Sequence, residues 1–547
     1  LPQRWPGAAR SVTLGVMVLT FGAALYLFGH FDGEIAQFQF VEDQEWIFAA
    51  IHFKLGVDGI SLLLVMLTAF LAPLAALAVV PASGQRVGEF CIALLALETA
   101  MLGTLLALDL FLFYFFWELM LIPTYLIIGV WGGPRRLFAT FKFVLYSMVG
   151  SALMLVALFY LYFKTGGTSF DYHFLATSLT REGMLGALSV KEQVVLFAAF
   201  GLAFAVKIPF FPFHTWLPDA CVESPTAGTV LLAGVLLKIG GYGFLRFAIP
   251  FFPDAAALYS GPLMGLAVVG IIYGALVAYV QQDMKRLVAY ASVSQMGLIM
   301  LGILVLTREA LAGSLLQMVN HGLTSAALVL CIGFLYERRG TRMMADFGGL
   351  AKVMPVCAAV FVLAALGAIG LPGTGGFVGE FLILAGIFKE GIGSVQLADS
   401  LLQWRTLVLV AGVLAASGMV VGAVYMLTMV RRVFLGPVGH DENRQLEGLS
   451  LREKIVVLPI VCAIILIGVA PGIFLNKTQA TVDQYVADYQ PRIMKGRNPR
   501  TAERNRALLK ELVEIQVKDQ LQGGDGVIDL RKIKWKEGGA HVEGSDE

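Results

Sequence analysis

The sequence predicts an all-α polytopic membrane protein that crosses the bilayer about thirteen times. Three observations carry that expectation. Hydrophobic residues make up 58% of the 547-residue chain and charged residues only 14%, whereas a soluble domain carries about 25% charged residues. Apolar runs of roughly 20 residues, the length a spanning helix needs, recur along most of the chain. Lys and Arg gather in alternate loops between those runs, as the positive-inside rule requires. The net charge of +1 argues neither for nor against nucleic acid, and no nucleic-acid partner is expected.

In order, the spans run Ser11–His30, Asp58–Val80, Glu89–Ala107, Leu110–Trp131, Leu137–Phe163, Val194–Trp216 and Thr226–Phe247. Then come Tyr259–Gln281, Arg286–Thr307, Leu311–Glu337, Met354–Phe388, Thr406–Arg431 and Ile455–Phe474. The eleventh is too long for one straight helix, so a break is expected inside it. Basic loops follow the second, fourth, eighth, tenth and twelfth spans: Arg86; Arg135 and Arg136; Lys285 and Arg286; Arg338, Arg339 and Arg342; Arg431 and Arg432. All share one parity, which places that face in the cytoplasm. The acidic loop from Asp32 to Glu45 and the polar tail beyond Asn476 then fall outside. Within the tail, Thr501–Leu521 has the pattern of an amphipathic helix that would lie against a neighbouring subunit or in solvent. There is no initiator Met and no cleavable signal pattern, and the first residues look like a loop leading into a span.

Two spans are interrupted alike. The sixth reads "VKIPFFPFHTWLPDA", with Pro209 and Pro212 just after Lys207; the eleventh reads "GLPGTGGFVGEF", with Pro372 just before Glu380. Proline removes an intrahelical hydrogen bond, so each helix should break near mid-membrane. Grouping spans three to seven and eight to twelve puts each broken helix fourth of five, and an odd number makes the second copy inverted. Paired breaks in inverted halves point to an ion pathway, although prolines also merely kink membrane helices. The expected division is 1–88 for the N-terminal helices and outside loop, 89–250 and 251–432 for the two five-helix repeats, 433–476 for the last span and 477–547 for the tail.

Redox and metal chemistry find no foothold in the motifs. The cysteines Cys91, Cys221, Cys331, Cys357 and Cys462 show no C-x-x-C spacing, and the histidines form no H-E-x-x-H pair. "GTGGFVGE" misses the dinucleotide fingerprint and lies inside an apolar span. No cofactor and no metal are expected in this chain.

The informative residues are ionisable groups inside spans, which usually face a bundle interior, pair, and form proton relays. Glu118 sits mid-span in "FLFYFFWELMLIP", Lys207 at the first break, Lys238 mid-span in "LLAGVLLKIGGYGFLRF", and Glu380 beyond the second break. Glu98, His321 and His214 are further candidates, since histidine titrates near neutral pH; a lone His in a membrane helix can equally be a packing hydrogen bonder. Asp109 and Asp219 stand at turns, where they would cap helices. A Glu118–Lys207 pair would act as a switch, releasing the lysine's proton when parted and reloading it when re-formed. Moving a charge through 100 mV costs about 2.3 kcal/mol, which modest changes in pairing can supply.

"LDLFLFYFFWELMLIPTYLIIGVWG", "AFAVKIPFFPFHTWLPDACVESPTAGTVLLAGVLLKIGGYGFLRF", "DMKRLVAYASVSQMG" and "LPGTGGFVGEFLIL" resemble the antiporter-like subunits of respiratory complex I. The similarity runs from Ser11 to Phe474 and is greatest to the chain M branch, subunit 4 in mitochondria. It implies a proton-translocating membrane subunit with two inverted five-helix repeats. By motif match, Glu118, Lys207, Lys238 and Glu380 would be the family's fifth-helix Glu, seventh-helix Lys, eighth-helix Lys and twelfth-helix Glu, the last at the outlet. An acid at 380, where sister subunits usually carry Lys, favours the chain M branch. His321 matches a histidine of the eleventh helix, on the central polar axis. The resemblance further implies partner subunits that hold FMN, iron–sulfur clusters and quinone, other complex I membrane subunits as neighbours including antiporter-like ones, a lipid membrane, and a bacterial inner membrane location. Two departures from that resemblance stand out: the family normally has fourteen spans against the thirteen expected here, its first being the one without a counterpart, and Gln295 replaces the His of "SHMG". The rival readings are a subunit of a multi-chain sodium/proton antiporter or membrane-bound hydrogenase, a stand-alone solute transporter, and a scaffold without transport.

Overall fold

The structure, a computed structural model, describes residues 6–78, 86–180, 187–392, 399–496, 533–536 and 539–542. Helix α1 spans Pro6–His30 and leads into an antiparallel hairpin, β1 Gln39–Phe48 with β2 Ile51–Val57. Then follow α2 Gly59–Ala78, α3 Val87–Leu106, α4 Leu110–Trp131 with a single-residue turn at Met120, α5 Arg136–Lys164 and the short α6 Tyr172–Thr180. The first broken element is α7 Val190–Lys207 with α8 Trp216–Glu223. Next come α9 Thr226–Phe251, α10 Pro253–Val280, α11 Met284–Val305 and α12 Arg308–Arg339. The second broken element is α13 Pro355–Ala368 with α14 Gly375–Ile392, followed by α15 Asp399–Phe434, α16 Leu451–Val469 and α17 Gly472–Gly496.

Both expected breaks are present; the first has the expected cause, and the second opens at a glycine ahead of its proline. The last helical N–H before the first break is that of Ile208, donated to Phe204 O, and Pro209 cannot continue the ladder. The second opens at Gly370, whose φ of 70° is left-handed, one residue before Leu371–Pro372. The count of thirteen is not confirmed. Among the described residues ten helices are long and apolar enough to cross a membrane, or eleven when α16 and α17, bent 65° apart, are one span. The two broken elements fall short because α7 carries Lys191, Glu192 and Lys207, and α14 carries Glu380, Lys389 and Glu390. The hairpin, α6 and α17 were not expected; α17 continues past Phe474 and runs across position 476. The expected helix at Thr501–Leu521, and Val80 at the end of the second span, lie outside the described residues.

Loop contacts separate into two sets with the parity read from charge. On the basic face Gly133 N donates to Glu223 O at 2.8 Å, Met284 N to Arg342 O at 3.1 Å and Gly349 N to Leu435 O at 3.2 Å. On the other face Phe170 N donates to Ala50 O, Leu110 N to Phe170 O and Leu108 N to Lys54 O. There too Lys477 Nζ, in α17, donates to Phe31 O at 2.5 Å.

Apolar patterning decides what lies inside. On α5, Leu137, Phe141, Leu145, Val149, Val156 and Phe163 are exposed, spaced as one face of a helix; a stripe that water would not tolerate suits lipid. By contrast α9 is buried from Ala227 to Phe251, and α12 is buried along its apolar length. Glycines let these central helices touch: a Cβ on Gly322 of α12 would stand 2.7 Å from Gly234 O of α9, and one on Gly240 would stand 2.8 Å from Phe204 O of α7. The buried interior therefore contains the helices that bear Lys238 and His321, flanked by both breaks.

Candidate functional site

Lys207 ends α7, a helix opened by the reciprocal Ser189–Glu192 capping box. Its Nζ lies 4.5 Å from the centre of the Trp117 ring on α4, a cation–π contact. Glu118, the next residue, is half-buried and within electrostatic range of Lys207, but no ion pair joins them among the described residues. The expected pair is thus adjacent and parted, with the lysine lying over the indole of the residue that precedes the acid. Asp109 fixes the start of α4, accepting from Phe111 N and Leu112 N at 2.9 Å each. That capping role is the one expected for it, and burial pushes its carboxyl up to about 6.

Lys238 is fully buried and lies between two π-helical segments of α9, Leu232–Leu236 and Phe244–Ala248. Such segments widen the helix and free carbonyls; the Nζ donates to Ala233 O at 2.5 Å, five residues back. His321 of α12 lies within electrostatic range of Lys238. Its Nε2 is 3.1 Å from Ser292 Oγ, which donates to Val288 O at 2.9 Å. With the hydroxyl proton committed to that carbonyl, Ser292 accepts, so Nε2 carries the imidazole proton and Nδ1 is the free acceptor. Nδ1 has no protein partner among the described residues.

Glu380 of α14 is buried just after the second break. Gln295 Nε2 donates to its Oε1 at 3.0 Å and Gln317 Nε2 at 3.4 Å, while Gln317 also donates to Gln295 Oε1 at 3.1 Å. Gln295 therefore holds the carboxyl group in place. Gly370 passes directly over Glu380 Oε2. Gln317 stands one turn from His321 on α12, so that one helix face joins the Lys238 cluster to the Glu380 cluster.

Two candidates stand apart: among the described residues no hydrogen bond or ion pair ties Glu98 or His214 to these clusters. Glu98 is buried, its Oε1 without a partner among the described residues, and His214 is buried against the rings of Phe211 and Tyr273. Asp219 differs from the capping role expected of it: it pairs with Lys142 and Arg286, at 2.8 Å each, because α8 brings it against the N-terminal ends of α5 and α11. Sequence reading missed Trp117 and Gln317, which are apolar or neutral. The spacing of Gln317, Asn320, His321 and Thr324 along one helix face was the available signal. It also missed the buried Asp58–Arg246 pair, 2.6 Å apart.

Among the described residues no group of three or more His, Cys, Asp or Glu is placed to hold a metal ion. The family described as NADH:quinone oxidoreductase/Mrp antiporter, TM, matches residues 107–403. NADH-quinone oxidoreductase subunit M of Rhodobacter capsulatus is 44% identical over 488 residues, 88% of this chain and 91% of that protein. NADH-ubiquinone oxidoreductase chain 4 of Arabidopsis thaliana is 41% identical over 481 residues, covering 87% and 91%. A chain of respiratory complex I from Thermus thermophilus superposes with a TM-score of 0.77 at 32% identity, covering 89% of this chain and 95% of that one. The Mrp complex from Dietzia sp. shares the fold, with a TM-score of 0.76 at 19% identity over 90% and 95%. With relatives this similar along most of its length, the chain belongs to the NADH:quinone oxidoreductase/Mrp antiporter family of membrane subunits.

Proposed function

We propose that this chain is the antiporter-like, proton-translocating subunit M of an NADH-quinone oxidoreductase. The observation that carries the reading is the polar line from Trp117–Glu118 and Lys207, through buried Lys238 and His321, to Gln317, Gln295 and Glu380. Lys207 and Lys238 lie on helices that touch at Gly240, so charge on one biases the other in a low-dielectric interior. His321 accepts at Nδ1 and donates at Nε2, and passes protons by changing tautomer. Glu380 is the outlet carboxylate. Glu118 governs Lys207: approach of the carboxylate holds the ammonium, and withdrawal leaves it on the Trp117 face. Glu98 and His214 are peripheral members of the proton pathway.

NADH oxidation, with its FMN, iron–sulfur clusters and quinone, belongs to partner subunits and drives this chain from a distance. Its neighbours are other membrane subunits of that complex, including antiporter-like ones, and its location is the bacterial inner membrane. Residues 89–250 and 251–432 form the two inverted repeats, each with its broken helix fourth of five.

The test uses the assembled complex in proteoliposomes, measuring protons moved per electron from NADH to quinone. Glu118→Gln is expected to lower that ratio while assembly is retained. Normal pumping by a fully assembled Glu118→Gln complex would sink the reading. The Mrp antiporter shares the fold, and no feature of the site favours the antiporter or the hydrogenase alternative.

A further inference from the structure

A cavity of about 440 Å³ opens on the basic face. Its lining runs from exposed or half-buried Arg136, Glu337 and Arg342 inward to buried Ser224 and Lys285. Lys285 served the sequence reading only as a marker of sidedness, yet it is buried. Its Nζ donates to Ser224 O at 2.6 Å.

The surroundings of Lys285 are unusual for a structural lysine. It lies in the first turn of α11, at the positive end of that helix dipole, where a cation is disfavoured. The charged or titratable groups facing it are Arg342, Cys221, Asp283 and Glu223. Arg342 and Asp283 pair with each other at 3.3 Å, and Glu223 accepts from Arg135 N at 2.9 Å. No carboxylate contacts the Lys285 ammonium among the described residues.

From Lys285 a polar track leads inward. Ser224 O also accepts from Thr229 Oγ1 at 3.2 Å, and Thr229 Oγ1 is 3.1 Å from Cys221 O. Thr229 is in the first turn of α9, and Ala233, whose carbonyl holds Lys238 Nζ, is one turn further on, about 6 Å along the axis. Lys238 thus reaches back toward the basic face. Cys221 is within electrostatic range of both lysines.

We propose that Lys285 is a proton-transfer residue that takes protons from the basic-face cavity and delivers them to Lys238 past Ser224 and Thr229. A proton from water in the cavity binds the neutral Lys285 amine. The ammonium then releases one along a hydrogen bond to water beside Thr229, and that water protonates neutral Lys238. Only N–H and O–H bonds form and break. The inference rests on the proton-translocating reading above.

The ordinary alternative is that Lys285 caps the C-terminal carbonyls of α8 and needs only its charge. Arginine supplies that charge but does not release a proton at working pH. In proteoliposomes of the assembled complex, Lys285→Arg and Lys285→Cys are each expected to lower the proton-to-electron ratio as far as Glu118→Gln does. Treating Lys285→Cys from the basic side with an aminoethyl methanethiosulfonate, which installs a titratable amine, should restore the ratio. The trimethylammonioethyl reagent, which installs a fixed charge, should label and not restore, and the unsubstituted complex is the control for other thiols. Normal pumping by Lys285→Arg, or equal rescue by both reagents, overturns the proposal; so does failure of both variants to assemble, which assigns Lys285 to structure. If Glu118→Gln loses pumping while Lys285→Arg keeps it, only this inference falls. If Glu118→Gln also pumps normally, the parent reading falls with it.

Discussion

Replacing Gly370 by alanine should uncouple Glu380 without touching it, and Gly373 provides an internal control. Both glycines sit in the second break with left-handed backbone, φ 70° and 91°. A Cβ at Gly373 meets nothing within 4 Å, whereas one at Gly370 collides with Glu380 Oε2. Both substitutions incur the left-handed strain of an L-residue, about 1–2 kcal/mol. Gly370→Ala must also push the carboxylate away from Gln295, 3.0 Å from Oε1. A hydrogen bond to a charged group contributes about 1.5–3 kcal/mol. That extra cost corresponds to roughly 10- to 150-fold fewer molecules with Glu380 in place, at about 1.4 kcal/mol per tenfold. The assay is the proton-to-electron ratio of the assembled complex in proteoliposomes, with NADH:quinone turnover measured alongside. Gly370→Ala should lose pumping as Glu380→Gln does, and Gly373→Ala should retain it. Equal losses in the two alanine variants, or normal pumping by Gly370→Ala, would refute the claim that carboxylate position matters.

Three further outcomes are expected. Asp58→Asn strands the Arg246 guanidinium, whose partner now lies 2.6 Å away with both groups about 4% exposed. Breaking such a pair costs about 3–5 kcal/mol, while replacing both partners with apolar residues is often neutral. The solubilised complex should therefore aggregate at lower temperature with Asp58→Asn than with Asp58→Leu/Arg246→Met, and equal behaviour would count against it. At the first break, Trp117→Leu removes a desolvated cation–π contact worth about 2 kcal/mol and should depress pumping more than Trp117→Phe; identical ratios would rule the contact out. In the hairpin, the hydrogen bond to Asp43 raises His52 above its ordinary value. Burial alone would raise Asp43, yet the bonds from His52 and Lys54 hold it below its usual range. The His52 contribution is thus complete below pH about 6.5 and lost as pH rises through the raised value. The Asp43 contribution is complete above pH about 3.9 and lost as pH falls through the depressed value. Amide exchange in the hairpin, corrected for the intrinsic rate, should accelerate above neutrality in the native protein and not in His52→Gln. The same pH dependence in both would exclude the pair.

What the sequence revealed follows from the energetics of each feature. A spanning helix needs a long apolar run, and a proline or glycine cluster inside one has few outcomes, so both breaks were legible at Pro209 and Pro372. A charge among apolar residues is costly wherever it points, which made Glu118, Lys207, Lys238 and Glu380 stand out. The hairpin was hidden because "FVEDQEWIF" reads as an acidic loop. Its pairing partner Ile51–Val57 shows only in three dimensions. The π-helical segments beside Lys238 were hidden too: they change the hydrogen-bond offset by one residue and leave the apolar pattern alone. Trp117 looks like any lipid- or core-facing aromatic until Lys207, ninety positions on, is seen lying over it.

Neutral residues complete the site, and their unused valences say how it operates. Gln317 Oε1, Asn320 Oδ1 and His321 Nδ1 are buried acceptors on one face of α12 without protein partners among the described residues. An unsatisfied buried acceptor costs about 1–3 kcal/mol, so three together would rival the whole net stability of a domain, about 5–15 kcal/mol. Asn320 Nδ2 is already committed to Gly375 O at 2.5 Å, and Gln317 Nε2 to Glu380 and Gln295. The carboxamide donors are thus spent on fixing the broken helix, and Gln317 Oε1 and Asn320 Oδ1 lie against Gly379 and Gly375 of that same half-helix. A stripe of acceptors with no protein donors accommodates water and mobile protons and offers nothing to a solute with its own acceptors. On the proton-translocating reading proposed above, the same carboxamides that hold α14 in place also position the Glu380 carboxyl, through Gln317 Nε2 and its bond to Gln295.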